Sequence, residues 1–329
     1  MINTRRGKIP AGEVAACASE RPQDFFDDCN RRYEDKLGAI ADRIRENLEQ
    51  THIIMLSGPS ASGKTTTSLK LRDALAERGI TATAVSMDDF FKNRSEVPLQ
   101  ADGSGDFESI AALDLELLKD CLAGMIYRGR ADLPIFQFKT GRRLEQTRAV
   151  TLGPGSVAIV EGLHALDSTV TEDFPRESVF KLYVSVSSDF ADGEDDVLLS
   201  ARDVRLIRRT IRDYNFRASS PMHTLNMWDD VCRGEDLYVR PFKKEADIAF
   251  NSLFRCEPCL FKDTALKLFG SVPPGNAHYR TARRLMHALG QFPSMPMELA
   301  PADCMLREFT GGSVYYNRSA GKKAGPSAG

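Results

Sequence analysis

His52-Ile53-Ile54-Met55-Leu56-Ser57-Gly58-Pro59-Ser60-Ala61-Ser62-Gly63-Lys64-Thr65-Thr66-Thr67 is the stretch on which the fold turns. An apolar run of strand length leads into G-x-x-x-x-G-K-T, and a helix pattern follows with Leu69, Leu71, Ala74 and Leu75. Strand, glycine-rich turn and helix in that order form a phosphate-binding loop in its confirming context. Gly58 and Gly63 let the N–H groups of Ser60, Ala61, Ser62, Lys64, Thr65 and Thr66 turn inward around a polyphosphate. The helix start adds partial positive charge to that cradle. Lys64 reaches the terminal phosphates in such a loop, and the Thr65 hydroxyl is a ligand for Mg²⁺. A plain Gly/Ser-rich turn would leave the lysine unexplained.

Working outward, apolar segments alternate with helical ones. Helices are expected over residues 24–50, 63–78, 111–127, 204–214, 259–269 and 278–289. Strands are expected over 52–57, 81–87, 156–160, 179–186 and 246–251, with 81–87 read as buried. Residues 133–138 read as a strand or edge hairpin, 189–196 as a charged loop, and Gly79 as the stop of the phosphate-loop helix. This alternation predicts an α/β fold: a doubly wound parallel sheet with helices on both faces. Residues 1–22 are polar and aperiodic and read as a poorly ordered lead-in. The core is expected over 23–252, a mainly helical C-terminal extension over 253–318, and a disordered Gly/Ala/Lys/Ser-rich tail over 319–329.

Bulk properties exclude several classes. A formal net charge of −2 offers no positive field to attract nucleic acid. No apolar run approaches the roughly eighteen residues of a membrane span. The basic start of the chain lacks the apolar segment of a secretory signal. An odd total of 7 cysteines fits a reducing cytoplasm better than a disulfide framework. Cys256-Glu257-Pro258-Cys259 has no second pair, and the 5 histidines show no metal-ligand spacing.

In an open α/β sheet, ligands sit beyond the carboxyl ends of the strands. The second strand ends in Ser86-Met87-Asp88-Asp89-Phe90-Phe91, and the strand from Ser156 ends in Glu161-Gly162-Leu163-His164. Phosphoryl transfer needs a phosphate cradle, a metal, and a carboxylate to orient or deprotonate the attacking hydroxyl. One of Asp88 and Asp89 is a candidate for that carboxylate, and Glu161 for the metal. Taken alone, an aspartate just after a strand is more often a turn former or helix cap than a base; the pair beside a phosphate loop shifts the balance to chemistry in at least one of them. Arg205, Arg208, Arg209 and Arg212, with Arg217 beyond, are either a salt-bridged face or a phosphate clamp. Phe90, Phe91, Phe107, Phe136 and Phe138 are either core or a slot for a planar base.

These segments resemble the uridine kinase and phosphoribulokinase family of P-loop kinases. The likeness extends through Asp106-Phe107-Glu108, the run from Leu133 to Arg143, Ile159 to His164, and Arg205 to Arg217, and covers roughly residues 35–316. Thr224-Leu225, Met227-Trp228, Gly234-Glu235, Pro241-Phe242, Asn251-Ser252 and the run Leu306–Ser313 are similar to one subgroup, bacterial nucleoside or uridine kinase-like proteins. Some of that subgroup carry an N-terminal region related to threonyl-tRNA synthetase, which is not seen here.

The resemblance implies a P-loop NTPase-type sheet with a helical lid over about 190–245. It implies ATP or GTP as phosphoryl donor, Mg²⁺ on Thr65, Glu161 and Asp88, and a nucleoside as acceptor. Asp88 is then the base, with Lys64, Arg209 and Arg212 catalytic and Arg217 on the donor. Phe91, Phe107, Phe136, Phe138 and Arg143 belong to the acceptor side, and Glu108 grips the ribose diol in place of a shorter aspartate. The pyrimidine-contacting histidine of these kinases is replaced near Gly141, so uridine itself is not implied. Two other readings remain, a sugar or sugar-phosphate kinase of the same fold and a nucleotide-binding regulator with little turnover. A homo-oligomer is compatible with the sequence, and an N-K-x-D guanine motif is absent from it.

Overall fold

The computed structural model describes residues 7–99, 103, 105–193 and 196–319. The chain starts with β1 (Gly7–Pro10), α1 (Ala11–Glu20), α2 (Pro22–Glu46), β2 (Ile53–Ser57), α3 (Lys64–Ala76) and β3 (Thr81–Ser86). It continues through α4 (Leu115–Arg128), β4 (Arg130–Leu133), β5 (Phe136–Gln137), β6 (Arg142–Arg143), β7 (Arg148–Thr151) and β8 (Ser156–Glu161). Next come α5 (Ser168–Thr171), β9 (Val179–Ser185), β10 (Ser188–Ala191), β11 (Val197–Leu199), α6 (Ala201–Phe216), α7 (Pro221–Asn226) and α8 (Trp228–Tyr238). β12 (Ile248–Asn251), α9 (Glu257–Gly270), α10 (Tyr279–Gly290), α11 (Arg307–Thr310) and α12 (Val314–Ser319) complete it.

Five strands pair in parallel in the order β12-β9-β2-β8-β3. Every residue of β2 and β9 is buried, as parallel strands covered by helices on both faces require. Alternate side chains of β2 serve two cores. Ile54 and Leu56 join α2, α3, α6, α9 and α10 on one face, while Ile53 and Met55 join α4 and the β4–β7 hairpin on the other. β3 lies at the sheet edge and is mostly half-exposed, so the expected buried strand over 81–87 is corrected. Its β-branched composition suits an edge as well as an interior. α3 ends at Ala76, and Gly79 at φ +76° closes the turn that follows.

Two further expectations change. The lead-in read over 1–22 is a strand and a helix from Gly7 onward, with Ala11, Val14 and Ala18 buried in the larger core. The loop read over 189–196 begins as strand: β10 pairs in parallel with β1 and antiparallel with β11. The two segments pair with each other from distant parts of the chain and pack Ile9 and Phe190 on the larger core, and strands this short carry little side-chain periodicity. Residues 253–319 share the larger core, where Phe254, Phe261, Phe269, Phe292 and Phe309 pack with Leu71 and Leu75 of α3. The tail expected as disordered lies outside the described residues after Ser319. Among the described residues no helix is long and apolar enough to cross a membrane, and all seven cysteines are free thiols.

Candidate active site

The turn after β2 is tight because the chain leaves the sheet under the neighbouring strand. A Cβ on Gly58 would sit 1.9 Å from the carbonyl oxygen of Val184, so only glycine fits there. Ala61 at φ +57° and Gly63 at φ +86° curl the loop toward the start of α3. The cleft above this loop is about 360 Å³ and is walled by residues from Ser60 to Thr65, by Asp88 after β3 and by Glu161 at the end of β8. Phe91, Phe107, Glu108, His164, Arg209, Arg212 and Arg217 also line it, as do Glu235 and Glu308. Lys64, Asp88 and Glu161 thus come from three adjacent strand ends into one space.

The electrostatics follow from crowding charges in a walled cleft. Burial lowers the Lys64 ammonium, opposed by Glu161, Glu308 and Asp88, and its Nζ donates to the Pro59 carbonyl at 3.2 Å. Water reaches Asp88, yet protein surrounds most of its carboxylate; that desolvation raises it, with Lys64 pulling the other way. Glu108 is raised by burial as well. Glu161 is raised furthest, from 4.5 to about 7, by burial that Lys64 only partly offsets. Asp89, the other aspartate of the pair, lies outside the cleft and accepts from the Phe136 N–H at 3.4 Å.

The arginine-rich helix α6 divides its labour. Arg205 and Arg208 are 2% and 0% exposed and face inward. Arg205 donates to the Ser60 carbonyl at 3.2 Å and pairs with Glu235. Arg208 donates to the Ala61 carbonyl at 3.4 Å and pairs with Glu257 at 2.7 Å. These two brace the loop from behind. Arg209, Arg212 and Arg217 converge on the buried Asp213 at 3.3, 2.8 and 3.5 Å, and all three line the cleft. Arg209 also reaches Ser60 Oγ at 2.6 Å.

Some expected site residues stand elsewhere. Phe136 and Phe138 line a smaller adjoining cavity that shares Phe91 and Phe107 with the main cleft. Ring centroids there lie 5.1–6.1 Å apart, from Phe107 through Phe91 and Phe136 to Phe138. Arg143, expected against the acceptor, lines neither cavity; it pairs with Asp114 at 2.9 Å and ties the β5–β6 hairpin to the start of α4. Gly58 lies beneath the loop and off the cleft, and the Thr66 hydroxyl and N–H face Glu308.

A model of the phosphoribulokinase / uridine kinase family matches residues 53–257, more than half of the chain. The chain belongs to that family. Among its relatives, a uridine kinase from Deinococcus deserti is 27% identical over 209 residues, covering 63% of this chain and 91% of the relative. One from Clostridium botulinum (strain 657 / Type Ba4) is 28% identical over 197 residues, covering 60% and 85%. The solved structure of a possible uridine kinase from Bacillus stearothermophilus covers 64% of this chain and 96% of its own at 19% identity and a TM-score of 0.43.

In this member of the phosphoribulokinase / uridine kinase family, three acidic residues stand within the quoted motifs but received no role from them: Asp213, paired with the cleft arginines, and Glu235 and Glu308 on the cleft wall. Asp213 was readable in principle, four residues from both Arg209 and Arg217 on one helix face. Glu235 and Glu308 stand in the runs Gly234-Glu235 and Leu306–Ser313, whose pattern names no partner for either, and Glu308 lies beyond the residues of the family match.

Glu161 also makes the fold pH-dependent. Its carboxyl sits at about 7 when folded against 4.5 when free, so the folded chain binds the proton more tightly. Stability is therefore fully present below the free value and falls as pH rises toward 7. Without metal or nucleotide, Glu161→Gln is expected to raise Tm at pH 8 by a few degrees and to leave it nearly unchanged at pH 5. Calorimetry at the two pH values checks this; equal effects at both would contradict a desolvated, poorly compensated carboxylate.

Proposed function

We propose that this kinase transfers the γ-phosphoryl group of ATP to the 5′-hydroxyl of a nucleoside. One observation carries the reading: Lys64, Asp88 and Glu161 share a cleft that Phe91 and Phe107 also line. The loop N–H groups and Lys64 hold the β- and γ-phosphates. Asp88 orients the acceptor hydroxyl and takes its proton, and its raised carboxyl makes it a stronger base than a solvated aspartate. Arg209 and Arg212, steadied by Asp213, face the charge that spreads over the transferring group. Arg217 adds positive charge at the rim, where its side chain is 58% exposed.

The donor set suits Mg²⁺. Thr65, Glu161 and Asp88 supply hard oxygen atoms around one cleft, and Glu161 is a half-buried carboxylate only partly offset by Lys64. Among the described residues no three His, Cys, Asp or Glu side chains gather into a cage. Few protein ligands are needed, because Mg²⁺ keeps waters and shares the substrate phosphates. When bound, it neutralises charge on the triphosphate.

The acceptor side favours a nucleoside over a sugar phosphate. Phe91, Phe107, Phe136 and Phe138 offer rings to a planar base, while the carboxylates of Asp88 and Glu108 repel a second phosphate. Glu108, raised by burial, suits a ribose diol. GTP fits the same phosphate cradle, because the loop contacts no base. Incubation with Mg-ATP against nucleosides, sugars and sugar phosphates, scored by product mass, tests the reading. Phosphorylated nucleosides are expected; turnover confined to sugar phosphates would overturn it.

A further inference from the structure

Glu308 reaches the phosphate loop from the far end of the chain. Its Oε2 accepts from the Thr66 hydroxyl at 2.7 Å and from the Thr66 N–H at 3.2 Å, and the residue is 7% exposed. Thr66 belongs to the first turn of α3, whose free N–H groups a polyphosphate would otherwise take. An internal carboxylate therefore already satisfies part of the anion cradle.

The segment around it is seated on both sides of the donor site. Met305 lies on Gly63, where an added Cβ would meet its sulfur at 2.7 Å. Lys70 of α3 donates to the Asp303 carbonyl at 3.0 Å. On the α6 side, Asn215 donates to the Phe309 carbonyl at 3.1 Å, and the Arg208 guanidinium lies 5.2 Å from the Phe309 ring. Glu308 itself lines the catalytic cleft.

We propose that Glu308 sets donor affinity by holding the phosphate position at Thr66 until a nucleotide displaces it. This rests on the donor-site reading of the loop and is independent of the acceptor. The same N–H and hydroxyl cannot serve a carboxylate and a phosphate oxygen at once, and two anions there repel each other. Apparent donor affinity is then the intrinsic affinity reduced by the fraction of molecules in which Glu308 has left. Gly311 at φ +95° and Gly312 at φ +75° turn the chain directly after α11, so the movement required is that of the Glu308 side chain off Thr66.

Two measurements on the full chain test this. In calorimetric titration with Mg-ADP, Glu308→Ala is expected to lower Kd about tenfold or more, and Glu308→Gln to lower it less, since the amide keeps an acceptor without charge. In hydrogen exchange on the unaltered protein, Mg-ADP is expected to speed exchange of the amides over 303–312. A Kd that is unchanged or raised in Glu308→Ala, or exchange over 303–312 that is unchanged or slowed, overturns the proposal. Lys64→Ala separates the two readings. If binding depends on Lys64 but not on Glu308, only this proposal fails; if it depends on neither, the donor-site reading fails too.

Discussion

Asp88→Asn is expected to lower kcat by about 10²–10⁴-fold, the range a positioned general base supplies. Affinity for ADP titrated without Mg²⁺, and Tm, should stay close to those of the unaltered chain, because the phosphates are held by the loop and Lys64 while Asp88 only lines the cleft. The asparagine keeps the shape and can still orient a hydroxyl, but it cannot accept the proton. Loss of kcat with donor Kd preserved is therefore the signature of a chemical role. A nucleotide-binding regulator with little turnover would tolerate the change in every assay. Steady-state kinetics and a donor titration on the same preparation distinguish the two.

The second large effect concerns the brace behind the loop. Arg208 and Glu257 are 0% and 1% exposed, and the pair lies under the Ala61 and Ser252 carbonyls. Glu257→Ala would leave a guanidinium buried without its counter-charge, at a cost of about 3–5 kcal/mol. For a chain of this size the loss lowers Tm by on the order of 10 °C. The double substitution Arg208→Met with Glu257→Met removes both charges and should recover much of that stability. It should still bind nucleotide poorly, since the Ala61 carbonyl loses its donor and the loop loses its support. Thermal melts and ADP titrations on the single and double variants read out the split. Full recovery of both properties would mean that the pair only fills space.

What could be read in the sequence was whatever strand ends and local spacing encode. Gly58, Lys64, Asp88 and Glu161 all follow apolar runs, and the topology of a parallel sheet brings such ends together. The two roles of the α6 arginines were not separable, because Arg208 and Arg209 are neighbours in sequence. Successive helix residues point about 100° apart, so one can enter the core while the next faces the cleft. Arg143 was assigned to the acceptor through its motif, yet a single ion pair to Asp114 holds it elsewhere. β1 was hard to read because it is four residues long, its partner β10 lies far along the chain, and Ile9 is its one residue packed on the core. Glu308 meets Thr66 across 242 residues, a contact that no local pattern announces.

A cleft that couples a triphosphate to an alcohol fixes the stoichiometry of its products. Phosphorus NMR of the protein with Mg-ATP and a nucleoside should show ADP and a nucleoside 5′-monophosphate appearing in equal amounts. ADP accompanied only by inorganic phosphate, whatever alcohol is supplied, would contradict it.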